Sequence, residues 1–177
     1  MDRWEINRRY QEIERFQELI KRAEQNPADP APLRDLVIYA DRRDDWDRTQ
    51  LLAQARSLGR RFQQTPEARQ PFDEILLPAI RKGLRDGSPY VRREAALAAG
   101  AFGPLAAGAV PELVQVMSSH PGEDASWFSA EALGNMGRLS QNAIPALEKA
   151  AIEGSDSLQE EARRAIKKIQ NAMADSR

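Results

Sequence analysis

The sequence predicts an all-α protein, an α-solenoid of antiparallel helix pairs that follows a divergent helical N-terminal half. Ala, Leu, Arg, Glu and Gln dominate the 177 residues and only 6% are aromatic, a composition typical of helices. No stretch shows the strict apolar–polar alternation of a half-buried strand. From residue 75 onward the sequence repeats itself at a period of about 34 residues, which is typical of stacked helix pairs.

A first helix is predicted over about Arg3 to Gln25, because its apolar residues recur at steps of three and four and so share one face. These residues are Ile6, Tyr10, Ile13, Phe16, Ile20 and Ala23. Three prolines between Asn26 and Leu33 then end the helix. This helix has the character of a cap, which covers the apolar end of a repeat stack.

Two further helices are predicted before the repeats, over about Leu33 to Asp41 and about Asp45 to Gln63. Pro66 and Pro71 mark the next interruption. The segment from Asp45 to Phe62 also has the character of a degenerate repeat helix. We therefore divide the chain into a divergent helical cap region, residues 1–71, and three helical units that form one continuous domain, residues 72–177.

The repeat is defined by prolines and by apolar columns. Pro78, Pro111 and Pro145 recur at intervals of 33 and 34 residues, and each is expected to open the first helix of a unit. The second helix of each unit follows a turn of Gly, Ser or Asp. The aligned columns of the second helices are Val91, Ala125 and Leu158; Ala98, Ala132 and Ala165; Ala99, Leu133 and Ile166; and Phe102, Met136 and Ile169.

These residues resemble the HEAT-repeat family, particularly its short bacterial units, over about residues 72–172. The family pattern V-R-x-x-A-A-x-A-L-G-x-x-G is matched by residues 91–103, and its second half by residues 130–137. The third unit has Lys167 and Gln170 in place of the glycines. The resemblance implies an α-solenoid with a broad binding surface. It also implies that Arg92 joins Asp86 in a stacking ladder, which is not continued in the second and third units.

Composition excludes several classes of function. The chain has no cysteine and a single histidine, His120, so thiolate chemistry and multi-histidine metal sites are excluded. No nucleophile elbow, phosphate-binding loop or zinc-protease motif occurs. We therefore predict no catalytic residues, no metal and no cofactor. The charged N-terminus does not resemble a signal peptide and the longest apolar run is too short to cross a bilayer, so we expect a cytoplasmic protein without a membrane partner.

Two adjacent aromatic residues interrupt a charged column of the repeat. Trp127 and Phe128 stand where the first unit has Arg93 and Glu94 and where the third has two glutamates. Aromatic residues at such positions indicate an anchor for a partner. We predict a partner-binding set of Trp127, Phe128, Tyr90 and Arg93. The alternative is that the pair packs against the loop 118–124, and the pair is equally suited to a contact between copies of the chain.

A second candidate site is basic. Arg81, Arg85 and Arg92 surround the turn inside the first unit and are candidates for contact with an anion or a phosphate. The alternative is that basic residues at a helix C-terminus complement the helix dipole.

The function predicted from these features is a non-enzymatic interaction module that binds another protein or a peptide. A first alternative is nucleic-acid binding, like that of the HEAT-like alkylpurine DNA glycosylases. The net charge of −1 disfavours it. A second alternative is a protein like the bilin lyases, which carry similar units, or a related chaperone.

Overall fold

The computed structural model describes residues 3–41 and 45–175, and these residues form helices joined by short turns without any strand. The all-α prediction is thereby confirmed. The α-helices are α1 (Arg3–Gln25), α2 (Ala31–Asp41), α3 (Asp45–Ala55), α4 (Gly59–Gln63), α5 (Arg69–Pro71), α6 (Leu77–Leu84), α7 (Pro89–Phe102), α8 (Val110–Ser119), α9 (Asp124–Asn135), α10 (Ile144–Glu153) and α11 (Asp156–Ala174).

Short helical turns connect several of these helices. Turns of 3₁₀-helix follow α3 (Arg56–Leu58), α7 (Gly103–Ala109) and α9 (Gly137–Ala143), and another (Pro66–Ala68) precedes α5. One turn of π-helix, Phe72–Leu76, leads from α5 into α6. The predicted third helix over 45–63 is therefore divided by a 3₁₀ turn.

The helices pack as pairs in four layers of the described chain: α2 with α3, α6 with α7, α8 with α9, and α10 with α11. The second helices α3, α7, α9 and α11 stack in that order. Thus α3 takes the place of a repeat helix, while α1 packs against both α2 and α3. The result is an α-solenoid to which the N-terminal half contributes a layer of its own.

Glycines in the second helices allow the next layer to approach. A Cβ atom on Gly134 of α9 would lie only 3.0 Å from the Cα atom of Ala165 in α11. Gly103 and Gly137 have positive φ angles of 53° and 59°, a conformation that glycine adopts without strain, and they end the second helices. Lys167 replaces the packing glycine in α11, where no further layer follows among the described residues.

Residues 56–76 form the connector between α3 and α6. Three phenylalanines hold this connector against the first repeat unit. Phe62 of α4 and Phe72 of the π-helical turn both contact Phe102 at the end of α7, with ring centroids 5.8 Å and 4.6 Å apart. All three side chains are fully buried. Because each comes from a different element, this cluster fixes the connector against the first repeat unit.

By length and apolar composition alone, the stretch Pro89–Ser119 could cross a membrane. It contains α7, the turn after it and α8, and the backbone turns at Gly103 within it. Its large apolar side chains include Phe102, Leu113 and Val116, which lie in the core of the stack. The apolar character of this stretch therefore has an explanation in the packing of the layers.

Candidate binding surface

Trp127 and Phe128 lie side by side near the start of α9. Their ring centroids are 3.6 Å apart with an angle of 31° between the ring planes. Both side chains are partly buried and pack against the core, so each keeps part of its surface in contact with solvent. The guanidinium carbon of Arg93, in α7, is 5.9 Å from the centre of the Phe128 ring, within the range of a cation–π contact. The structure thus brings three of the four predicted residues together.

Tyr90 lies apart from this group. It is in the first turn of α7 and is 67% exposed. It has no ring contact with Trp127 or Phe128 in the described part of the chain. Its role in partner binding stays a prediction, because the structure gives it exposure without a direct contact to the aromatic pair.

A shallow groove of about 210 Å³ runs beside Phe128 between α7 and α9. We call it the aromatic groove. Its lining is Ala96, Leu97, Gly100, Ala101, Phe128, Glu131, Ala132 and Asn135. Small residues dominate the α7 side, which leaves space next to the large Phe128 ring. The groove therefore combines an apolar surface with two polar groups, a carboxylate and an amide.

Glu131 is the carboxylate of this groove that lacks a counter-ion. Among the described residues it forms no ion pair, although it is only partly exposed. The neighbouring carboxylates are paired: Glu94 lies 3.7 Å from a guanidinium nitrogen of Arg56, and Glu161 lies 3.3 Å from one of Arg164. The aromatic groove consequently offers one negative charge to an incoming group.

Arg81 and Arg85 hold a carboxylate of this chain instead of an open anion site. Arg81 donates from Nε and Nη2 to Oε1 of Glu112, at 3.0 and 2.8 Å, and Arg85 donates to the same oxygen. Glu112 is only 2% exposed. Burial raises the pKa of Glu112, but the Arg81 hydrogen bond and both positive charges outweigh it and bring that pKa below its ordinary value. The predicted phosphate position is thus filled by an internal ion pair between α6 and α8.

Arg92 is also engaged within the protein. It is buried and donates from Nε to Glu123 at 3.0 Å, from Nη2 to the same carboxylate at 2.5 and 2.7 Å, and from Nη1 to the carbonyl oxygen of Asp86 at 2.6 Å. The structure therefore assigns this third predicted anion contact to packing between layers. The Asp86 carboxylate, in turn, accepts from Arg48 of α3 at 2.8 Å.

A ladder of arginine–carboxylate pairs therefore exists, but its register differs from the expected one. Arg48 and Arg92 each reach the turn of the following layer, at Asp86 and Glu123. The ladder extends toward the N-terminus and ends, as expected, at the second unit, where Ser126 bonds the Glu123 carbonyl oxygen at 2.7 Å.

Glu131 and Asn135 are groove residues that the sequence reasoning missed. Their signal is helical spacing, since Phe128, Glu131 and Asn135 lie at intervals of three and four along α9 and so share one face. The sequence reasoning also missed Glu112, because the equivalent positions of the other repeat units are not acidic. Among the described residues, no cluster of His, Asp and Glu is suited to hold a metal ion.

The geometry defines an α-solenoid of stacked helix pairs. A family model for HEAT repeats matches residues 76–167. Because this match covers more than half of the chain, the protein belongs to the HEAT-repeat family. No significant match was found among curated proteins.

The fold is similar to that of solved repeat proteins. A designed armadillo repeat protein in complex with the peptide (KR)4 gives a TM-score of 0.64 at 20% identity, over 78% of this chain and 64% of that one. An engineered protein from the Northeast Structural Genomics Consortium gives 0.61 at 19% identity, over 80% and 64%. Another designed armadillo protein gives 0.60 at 15% identity, over 94% and 88%. The chain thus spans 64% of the length of the first two, and the likeness establishes the fold.

Proposed function

We propose that this protein is a non-enzymatic interaction scaffold that binds a segment of another protein in the aromatic groove. The observation that carries the proposal is the stacked, partly buried pair of Trp127 and Phe128, of which Phe128 lines an open groove. Large aromatic side chains on a surface dominate binding energy when a partner covers them, because they bury much apolar area at a small loss of side-chain freedom.

The position of the pair in the repeat supports this proposal. The equivalent positions of the neighbouring layers carry Arg93 with Glu94, and Glu160 with Glu161. Glu94 pairs with Arg93 and with Arg56 of the preceding layer, and both glutamates of the third unit pair with Arg164 of their own helix. The other layers are thus built with ion pairs at this column, and binding of a partner is the reason we propose for aromatic residues at it in the second unit.

The chemistry of the groove favours a basic side chain in the bound segment. A Lys or Arg side chain there would meet Glu131, which forms no ion pair with a described residue. The similar designed armadillo protein was solved with the peptide (KR)4, which is one case of a basic peptide bound to a solenoid of similar fold. We place the complex in the cytoplasm, with another protein or a peptide as the partner.

The proposal is tested by affinity capture from a nuclease-treated lysate with the wild type and the double variant Trp127→Ser/Phe128→Glu. A partner retained by the wild type is then divided into overlapping synthetic peptides, and their affinities for both proteins are measured by fluorescence anisotropy. We expect one peptide to bind the wild type at least tenfold more tightly than the double variant. Replacement of its basic residue by Gln should weaken binding in the same range.

The matched control is Ile152→Ser, which removes a 77% exposed apolar side chain from α10. It should leave the affinity unchanged. Equal capture by the wild type and the double variant would show that the aromatic groove does not bind the partner. Release of the captured material by nuclease would favour the nucleic-acid alternative, and self-association lost in the double variant would indicate a contact between copies of the chain.

A further inference from the structure

Two opposite charges at the aromatic groove lack a counter-ion within the described part of the chain. Glu131, in α9, is partly exposed and forms no ion pair with a described residue. Lys168, in the neighbouring helix α11, is exposed and likewise forms no ion pair with a described residue. The two residues belong to adjacent layers, but no ion pair joins them. This surface therefore presents a carboxylate and an ammonium group separately.

Lys168 reaches the groove through Asn135. Its Nζ atom donates a hydrogen bond to Oδ1 of Asn135 at 3.0 Å, and Asn135 lines the groove together with Glu131. The stem of the lysine lies close to α9, because a Cβ atom added to Gly134 would lie 3.2 Å from its Cδ atom. The amide oxygen of Asn135 carries no net charge, so this bond positions the ammonium group without cancelling its charge.

The carboxylates at the equivalent positions of the adjacent layers are compensated within the protein. Glu94 of α7 lies 3.8 Å from a guanidinium nitrogen of Arg93 and 3.7 Å from one of Arg56. Glu161 of α11 accepts a hydrogen bond from Arg164 at 3.3 Å. These groups are engaged in holding the layers and helices of the stack, whereas Glu131 and Lys168 keep their charges available to a bound segment.

The charge on this surface changes sign along α9. Glu131 lies one turn before the end of the helix, whereas Lys168 is bound to Asn135, the last residue of the helix. Arg138 is exposed in the turn after α9, and it also forms no ion pair with a described residue. A segment with basic residues only would be attracted at Glu131 and repelled one turn further on, because like charges disfavour association.

The distance between the two charges sets the spacing of the residues that they recognise. Glu131 and Asn135 are separated by four residues, or about 6 Å along the axis of α9. The ammonium group of Lys168 lies 3.0 Å from the Asn135 oxygen. In an extended segment, alternate side chains point to the same side at intervals of about 6.7 Å. A basic and an acidic residue two positions apart therefore match Glu131 and Lys168.

Resting on the proposed function, we infer that the segment in the aromatic groove is extended and of mixed charge. It carries a Lys or Arg beside Glu131 and, two positions away, an Asp or Glu beside Lys168. The ammonium group of Lys168 has three hydrogen-bond donors and uses one on Asn135, so others are available to the acidic residue. This second contact provides selectivity, because a polybasic segment lacks it and meets a like charge instead.

The inference is tested with a displayed library of random peptides of about nine residues, which span roughly 30 Å when extended. Peptides are selected on the wild type and depleted on Trp127→Ser/Phe128→Glu, so that only ligands of the aromatic groove remain. We expect enrichment of Lys or Arg two positions from Asp or Glu. Fluorescence anisotropy should show that Glu131→Lys and Lys168→Glu each weaken a selected peptide about fivefold or more.

An exchange of the two charges separates recognition from the effect of net charge. The double variant Glu131→Lys/Lys168→Glu has the net charge of the wild type in the opposite order. It should bind the selected peptide about tenfold or more weakly, and it should bind tightly a peptide whose basic and acidic residues are exchanged. The matched control is Lys167→Glu, at the preceding exposed lysine of α11, which should change the affinity by less than about twofold.

The inference and the proposed function fail in different ways. If no peptide is sensitive to Trp127→Ser/Phe128→Glu, the aromatic groove binds no segment, and both are overturned. If sensitive peptides are found but lack an acidic residue, or bind Lys168→Glu as tightly as the wild type, only the inference is overturned. It is also overturned if Lys167→Glu weakens binding as much as Lys168→Glu, because net charge then explains the effect.

Discussion

The basic turn of the first unit and the aromatic pair of the second stand out equally in the sequence, but the structure treats them differently. Arg81, Arg85 and Arg92 bind carboxylates of this chain, Glu112 and Glu123, that belong to the following layer. Trp127 and Phe128 are only partly buried, and Phe128 lines an open groove. The charges near the turns thus connect layers, whereas the aromatic pair packs against the core on one side and lines a groove on the other.

The largest expected effect comes from breaking the basic region. The double variant Arg81→Leu/Arg85→Leu leaves the buried Glu112 carboxylate without a counter-charge, and this should destabilise the fold by about 3 kcal/mol or more. Urea unfolding followed by circular dichroism measures the change. A loss below about 1 kcal/mol would mean that the ion pair is no more than a surface contact.

The pH dependence of stability tests the same Glu112 ion pair. The folded-state pKa of Glu112 is lowered, so the stability that this carboxylate contributes is complete above its ordinary pKa of 4.5 and is lost as the pH falls through the lower folded value. The difference in unfolding free energy between the wild type and Glu112→Gln should therefore be constant near neutral pH and shrink below about pH 4. A difference that grows on acidification would contradict the assignment.

Arg92→Met should have an intermediate effect, because it removes the bonds to Glu123 and to the Asp86 carbonyl oxygen while it keeps most of the buried stem. We expect a loss of about 1 to 2 kcal/mol in thermal or urea unfolding. Arg164→Met, which removes an exposed helical ion pair, is the control and should change stability by less than about 0.5 kcal/mol. Equal effects of the two variants would refute the ladder.

The smallest effect on stability is expected in the aromatic groove. Glu131→Gln removes a charge that has no described counter-ion, so the free energy of unfolding should change by less than about 0.5 kcal/mol. Binding of the basic segment should nevertheless weaken about fivefold or more, as measured by anisotropy. A large loss of stability without an effect on binding would identify Glu131 as a structural residue.

The architecture could be predicted from the sequence because each repeat unit carries the residues that pack its layer against the next. The aligned prolines, alanines and glycines predict helix pairs, and residues 76–167 match the HEAT-repeat family. The N-terminal layer was harder to recognise. There Pro32 opens α2 as the aligned prolines open the first helices of the repeat units, but residues 56–76 separate α3 from α6 and include a π-helical turn, so the spacing of the repeat is lost.

The candidate site was predictable only in part. Trp127 and Phe128 emerged because a column comparison makes an aromatic residue conspicuous among charged ones. The arginines, by contrast, pair with acids more than 25 residues away, such as Glu112. No rule of sequence spacing predicts contacts between residues in different layers.

The most direct test of the central proposal is site-specific photo-crosslinking from the aromatic groove. A photoreactive amino acid is placed at Leu97, which lines the groove, and at Leu139, which is 50% exposed elsewhere. We predict a discrete crosslinked partner from position 97 that is lost in Trp127→Ser/Phe128→Glu, with no such product from position 139. The same product from both positions, or a product from position 97 that survives the double substitution, would contradict the account.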